Sequence, residues 1–94
     1  MIKNFKHKGL EDFFNTGTKR GIQPEHAAKL ERILDRLAAA RNPLDMSLPA
    51  YALHELKGDK AGTWAVTVSG NWRVTFKFEG DNAVKVHYED YHNK

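Results

Sequence analysis

The sequence has no cysteine. That excludes a disulfide framework and a zinc–thiolate site, and it is compatible with a reducing compartment. No apolar run approaches the roughly 18 to 20 residues of a membrane helix, and the N-terminus lacks the apolar core of a signal peptide. The expectation is a water-soluble, cytoplasmic protein with no membrane partner. Walker sequences and glycine-rich phosphate signatures are missing, and Ser47 and Ser69 stand in no nucleophile motif. No repeat, low-complexity tract or linker divides the chain. Its 94 residues are therefore expected to form one domain, 1–94, with a modest core. Fifteen basic against twelve acidic residues give a net charge of +3. That balance is compatible with a polyanionic partner and does not demand one.

What is present centres on residues 63–78. Trp64, Val66 and Val68 alternate with Thr63, Ala65, Thr67 and Ser69. Trp72, Val74, Phe76 and Phe78 alternate with Arg73, Thr75 and Lys77. Period-2 alternation of β-branched and aromatic residues predicts two strands, and Ser69-Gly70-Asn71 between them predicts a hairpin. Placing Val68 opposite Trp72 puts both apolar sets on one face. It implies a three-residue loop with Asn71 in the left-handed position. A two-residue loop would put Ser69 opposite Trp72 and mix the faces.

The rest of the chain supplies layers for that hairpin. Residues 1–5 hold Ile2 and Phe5 and read as a short strand. Residues 7–16 place Leu10, Phe13 and Phe14 at helical spacing, stopped by Gly17. Pro24 and Glu25 suit the start of a second helix. Ala27, Leu30, Ile33, Leu34, Leu37 and Ala38 form its apolar stripe, and Asn42-Pro43 ends it. Residues 51–56 and 83–88 read as further strands. The order β-α-α-β-β-β-β predicts an α+β domain: two N-terminal helices cover one face of a small, mainly antiparallel sheet, and the other face is polar.

Chemistry on that polar face would draw on Arg73, Lys57, His54 and the terminal run Glu89-Asp90-Tyr91-His92. Each has a plain alternative. Arg73 can be a solvated strand residue or a bidentate phosphate clamp. Lys57 can be a solvated turn lysine, and His54 a structural strand histidine. A chain terminus is usually frayed, although here the last strand runs straight into it. His87, Glu89, Asp90 and His92 invite a metal, but strand alternation splits them between two faces, so no metal ligand set and no cofactor are expected. The residues alone lead to a small basic α+β domain whose polar sheet face carries Arg, Lys and His.

Several stretches, taken together, resemble a known family. The opening Met1-Ile2-Lys3-Asn4-Phe5-Lys6-His7-Lys8-Gly9-Leu10 is similar to the start of HigB-type killer proteins. Leu53-His54-Glu55-Leu56-Lys57-Gly58-Asp59, Gly62-Thr63-Trp64, Asn71-Trp72-Arg73-Val74-Thr75-Phe76 and Tyr88-Glu89-Asp90-Tyr91-His92 follow in order with family-like spacing. These proteins are toxins of the RelE/ParE superfamily in type II toxin–antitoxin systems. The resemblance implies a RelE-like fold and a metal-independent, ribosome-dependent endoribonuclease. Such an enzyme cuts messenger RNA in the ribosomal A site, contacts ribosomal RNA, and uses the substrate's own 2′-hydroxyl as nucleophile. It also implies a HigA-type helix-turn-helix antitoxin as partner and a monomeric free toxin. On this resemblance the catalytic set is His54, Lys57, Arg73, Asp90, Tyr91 and His92. Arg73 and Lys57 would hold the scissile phosphate, and proton transfer would fall among His54, Asp90 and His92. Tyr91 would stack on a base or orient the sugar, and Asn71 would read a base. RNA binding would thus rest on Lys57, Asn71, Arg73 and Tyr91. Two other functions stay open: a ParE-like poison of DNA gyrase on the same fold, and an inactive binding module.

Overall fold

A computed structural model of the protein describes residues 1–91. Helix α1 (Lys8–Thr16) starts where extended His7 turns its Nδ1 onto the Leu10 N–H at 3.0 Å, satisfying one of the donors a helix start leaves open. It stops at Gly17, whose φ of 80° lets its N–H reach the Phe13 carbonyl. The following connection presses closely on α1. A methyl on Gly9 would lie 2.5 Å from the Gly21 carbonyl oxygen, so two glycines allow that approach.

A short 3₁₀ turn, Pro24–His26, leads into α2 (Ala27–Ala39). The predicted stripe is buried except at its end: Leu30, Ile33 and Leu37 are fully enclosed, Leu34 and Ala27 nearly so, and Ala38 is half-buried. The helix ends a turn before Asn42-Pro43. The Arg41 N–H, which a longer helix would need, goes instead to the Asp45 carboxylate at 2.8 Å. Asn42 then caps a second 3₁₀ turn, Pro43–Met46, by accepting the Leu44 N–H. The expected strand over residues 51–56 contracts to β1 (His54–Glu55). A 3₁₀ turn, Pro49–Tyr51, occupies its start, and Ala52 at φ 49° breaks the extended run.

β2 (Trp64–Ser69), β3 (Trp72–Glu79) and β4 (Asn82–Asp90) complete an antiparallel sheet in the order β1-β2-β3-β4. The domain is α+β, with both helices packed on one sheet face. The expected N-terminal strand is reduced to two parallel bridges on the outer side of β4, Ile2 to Ala83 and Phe5 to Val86. The body of the central hairpin has the predicted register, with Val66 opposite Val74 and Trp64 opposite Phe76. Its end does not. Ser69 faces Trp72, so the loop is the two residues Gly70-Asn71, and Gly70 at φ 55° takes the left-handed position assigned to Asn71. The register shift between Thr67 and Ser69 makes Val68 a bulge. One extra residue restores the face alternation that a two-residue loop would otherwise have mixed. A second bulge sits between β3 and β4. Thr75 faces His87 and Lys77 faces Val84, so Phe76 opposes both Lys85 and Val86.

The core lies between the helices and the sheet face carrying Val66, Val74, Phe76, Val86 and Tyr88. Burial of each such side chain contributes about 1.5–3 kcal/mol. Tyr88 also ties β4 to the helical layer. Its hydroxyl accepts the Gln23 N–H at 3.3 Å and shares a hydrogen bond of 2.6 Å with Nδ1 of buried His26.

Candidate active site

The face away from the helices carries Arg73, Thr75, Lys77, His87 and Glu89, but it is less open than alternation suggested. Ala65, Thr75 and Val84 on it are buried. Arg73, for which a solvated strand position was one of two readings, keeps only 14 % of its side chain exposed. The cause is its cross-strand partner. Arg73 pairs with Glu89 in the β3–β4 ladder, and its Nε and Nη2 both lie 2.7 Å from one Glu89 carboxylate oxygen. The Tyr91 ring stacks on the guanidinium, 4.6 Å from ring centre to the central carbon. Cation, carboxylate and ring together fix the plane of the guanidinium.

Backbone pairing builds this cluster. Tyr91 donates its N–H to the Asn71 carbonyl at 3.1 Å, so the end of β4 closes on the hairpin loop. Asn71, Arg73 and Tyr91 are thereby brought together. Asp90 is next to them in sequence but pairs with Trp72. Alternation therefore gives its side chain the direction opposite to Arg73, not the edge of the Arg73 face. His92 lies outside the described residues.

His54 and Lys57 form a separate group. His54 shares a cross-strand row with Ala65, Thr75 and His87, which puts it on the Arg73 face but two strands away from β3, roughly 10 Å between backbones. It is exposed, and its Nδ1 lies 3.0 Å from the Ala52 carbonyl. A carbonyl only accepts, so Nδ1 carries the proton and Nε2 of the neutral ring keeps its lone pair for a proton. Lys57 is exposed at the head of the 3₁₀ turn Gly58–Lys60.

Two groups on this face were weighed from the sequence only within the terminal run or as metal ligands, and their place beside Arg73 was not foreseen. Glu89 is the first; a correct β3–β4 register would have revealed it. The second is His87, whose Nε2 lies 3.7 Å from the other Glu89 oxygen and whose ring centre is 5.7 Å from that of His7. Burial lowers the His87 pKa from its usual 6.5; Glu89 opposes the shift, and His7, Lys6 and Lys60 add to it. Burial likewise lowers the His7 pKa. Among the described residues no three His, Asp or Glu side chains gather as a metal site would require, and no helix is long and apolar enough to cross a membrane. A cleft of about 440 Å³ between α1 and α2, lined by Phe13, Phe14, Ala27 and Leu34 among others, contains none of these polar groups.

Residues 3–92 match a family described as the RelE-like toxin of the type II toxin–antitoxin system HigB. The chain is 45 % identical over 95 residues to the protein named Endoribonuclease HigB from Proteus vulgaris, an alignment spanning 98 % of this chain and 100 % of that protein.

Proposed function

Because the chain belongs to the HigB-like family of RelE-type toxins of type II toxin–antitoxin systems, we propose that it is an endoribonuclease that cuts messenger RNA in the ribosomal A site. The observation that carries the reading is the Arg73 guanidinium, held in plane by Glu89 and Tyr91 on the sheet face away from the helices. Glu89 occupies Nε and one Nη, which leaves N–H donors on the far side to receive a phosphate.

In the proposed reaction the 2′-oxygen attacks the adjacent phosphorus while the bond to the 5′-oxygen breaks. The 2′-hydroxyl proton passes to a base, and a proton reaches the departing 5′-oxygen. The products are a 2′,3′-cyclic phosphate and a 5′-hydroxyl. Arg73, with Lys57, stabilises the charge of the phosphorane. Proton transfer falls to His54 and His92, since Asp90 is directed away from the Arg73 face; the contact of His54 Nδ1 with the Ala52 carbonyl turns Nε2 of its neutral ring to the acceptor part. Tyr91 stacks on Arg73 from one side and offers its 42 %-exposed ring to a nucleobase. Asn71, at the loop tip, reads a base. The protein acts in the cytoplasm, free as a monomer, and is neutralised by a helix-turn-helix antitoxin.

The test is induction of the protein followed by mapping of transcript ends. Cuts within translated frames, lost in Arg73→Ala, are expected. The products should carry 2′,3′-cyclic or 3′-phosphate ends, and cleavage on purified ribosomes should survive exchange of divalent ions for polyamine. A specific need for added zinc or manganese, or 3′-hydroxyl ends, would refute the mechanism. Intact transcripts with DNA breaks held by gyrase would move the protein to the ParE-like class.

A further inference from the structure

Farther along the same sheet face, Thr75 and Lys77 line a recess of about 150 Å³ together with Lys6, Thr63 and Lys85. Its walls come from three parts of the chain: the N-terminal segment that bridges to β4, the β2–β3 hairpin, and the bulge in β4. Three ammonium groups and two hydroxyls surround it, and no carboxylate does. Among the described residues none of these lysines has an acidic partner. The cationic surplus is felt nearby, since Lys6 helps to lower the pKa of His87. Such a recess has room for a few water molecules or one phosphate group.

Lys85 is the pointed feature. Its φ of 54° is a left-handed conformation that glycine adopts at lower cost than lysine. The Asn4 side-chain oxygen, accepting the Lys85 N–H at 2.6 Å, holds it there. The bulge breaks the alternation of β4 at this position and re-aims the side chain into the recess. We propose that Lys6, Lys77 and Lys85, with Thr63 and Thr75, form a second phosphate subsite for the message strand whose scissile phosphate sits at Arg73. Thr75 and Lys77 lie two and four residues from Arg73 along β3, about 7 and 13 Å. Extended RNA passing Arg73 reaches that far within one or two nucleotides. The inference rests on the proposed nuclease function.

The experiment compares single-turnover cleavage on message-programmed ribosomes for the wild type, Lys77→Ala/Lys85→Ala, Lys85→Gly and Arg73→Ala. The subsite predicts that the double variant needs severalfold more toxin for half-maximal rate and reaches the wild-type rate at saturation. The salt dependence should flatten by about 0.7 log units per log unit of salt for each phosphate that the protein no longer neutralises. Lys85→Gly should melt no lower than the wild type yet show part of the same weakening, which removes misfolding as an explanation. Arg73→Ala should instead lose the saturated rate. Unchanged half-saturation and salt slope in the double variant would overturn the subsite and leave the nuclease function standing. Equal weakening toward ribosomes that carry no message would assign the recess to ribosomal RNA and overturn the message-strand claim. Absence of cleavage by the wild type would overturn both.

Discussion

A guanidinium that donates its Nε–H to a carboxylate oxygen, keeps a second nitrogen 2.7 Å from the same oxygen and lies against a tyrosine ring cannot swing freely between rotamers. In the proposed reaction its contribution depends on Glu89 and Tyr91 as well as on its own charge. Arg73→Ala removes that clamp and leaves Glu89 on a mostly covered face without its partner. The variant should lose cleavage and also about 1–2 kcal/mol of stability, more than a solvated strand arginine would cost. Chemical denaturation of the two proteins checks this, and an unshifted midpoint would show that the pair contributes nothing in solution. Glu89→Ala should slow cleavage roughly tenfold by freeing Arg73, equivalent to about 1.4 kcal/mol of barrier; a wild-type saturated rate would show that Glu89 plays no positioning part. His7 and His87 set a pH dependence. Burial lowers both pKa values below 6.5, so the unfolded chain takes up protons there that the folded chain refuses. Stability should therefore rise with pH between the lowered folded values and about 6.5 and level off above. Protonated His7 would also lose the lone pair that accepts the Leu10 N–H. Urea midpoints at pH 5.5 and 7.5 test the sign, and His87→Gln should flatten the slope. The candidate set could be named from motifs, but the partner of Arg73 could not, because it depends on which β4 residue lies across the ladder.

At the scale of elements, the helical stripes and the alternation of the hairpin were readable because each repeats over several residues. Single-residue events were not. The bulges at Val68 and Lys85 leave composition and period almost untouched, yet each shifts register by one. Alternation thus gave the body of the hairpin correctly and its closing turn incorrectly. The strand expected before Glu55 failed for a similar reason, since Ala52 adopts a left-handed conformation for which alanine carries no signal. The close packing of α1 on the following connection yields a ranking of variants. Gly17→Ala meets no atom within 4 Å but must hold φ 80°, at a cost of about 1 kcal/mol. Gly9→Ala would collide with the Gly21 backbone, which cannot rotate away as a side chain could. It should cost more, about 2 kcal/mol or beyond. Thermal melts of the two variants decide the order, and a reversed ranking would mean that the connection yields easily.

For the whole molecule, the apolar contacts of β4 end at Tyr88, and the candidate site residues at the end of the chain come after it. Removing residues 90–94 should leave a folded protein that still co-purifies with its antitoxin and no longer arrests growth. Removing Asn93 and Lys94 alone should leave activity intact. Full toxicity of the longer truncation would sink the assignment of Tyr91 and His92. The bridges from Ile2 and Phe5 to Ala83 and Val86 carry a further consequence, which concerns time. Residues 2–5 leave the ribosome early and must wait for residues 83–86 before they can pair. The two helices need only local contacts and can form while they wait. Glu89 and Tyr91 reach Arg73 only when β4 docks, so a nascent chain that has made its helices and hairpin still lacks the assembled site. The ribosome synthesising this toxin is therefore expected to be safe from it until the last strand emerges. Chains stalled before residue 82 should prove harmless to neighbouring ribosomes, and cleavage by such chains would show that the last strand is dispensable.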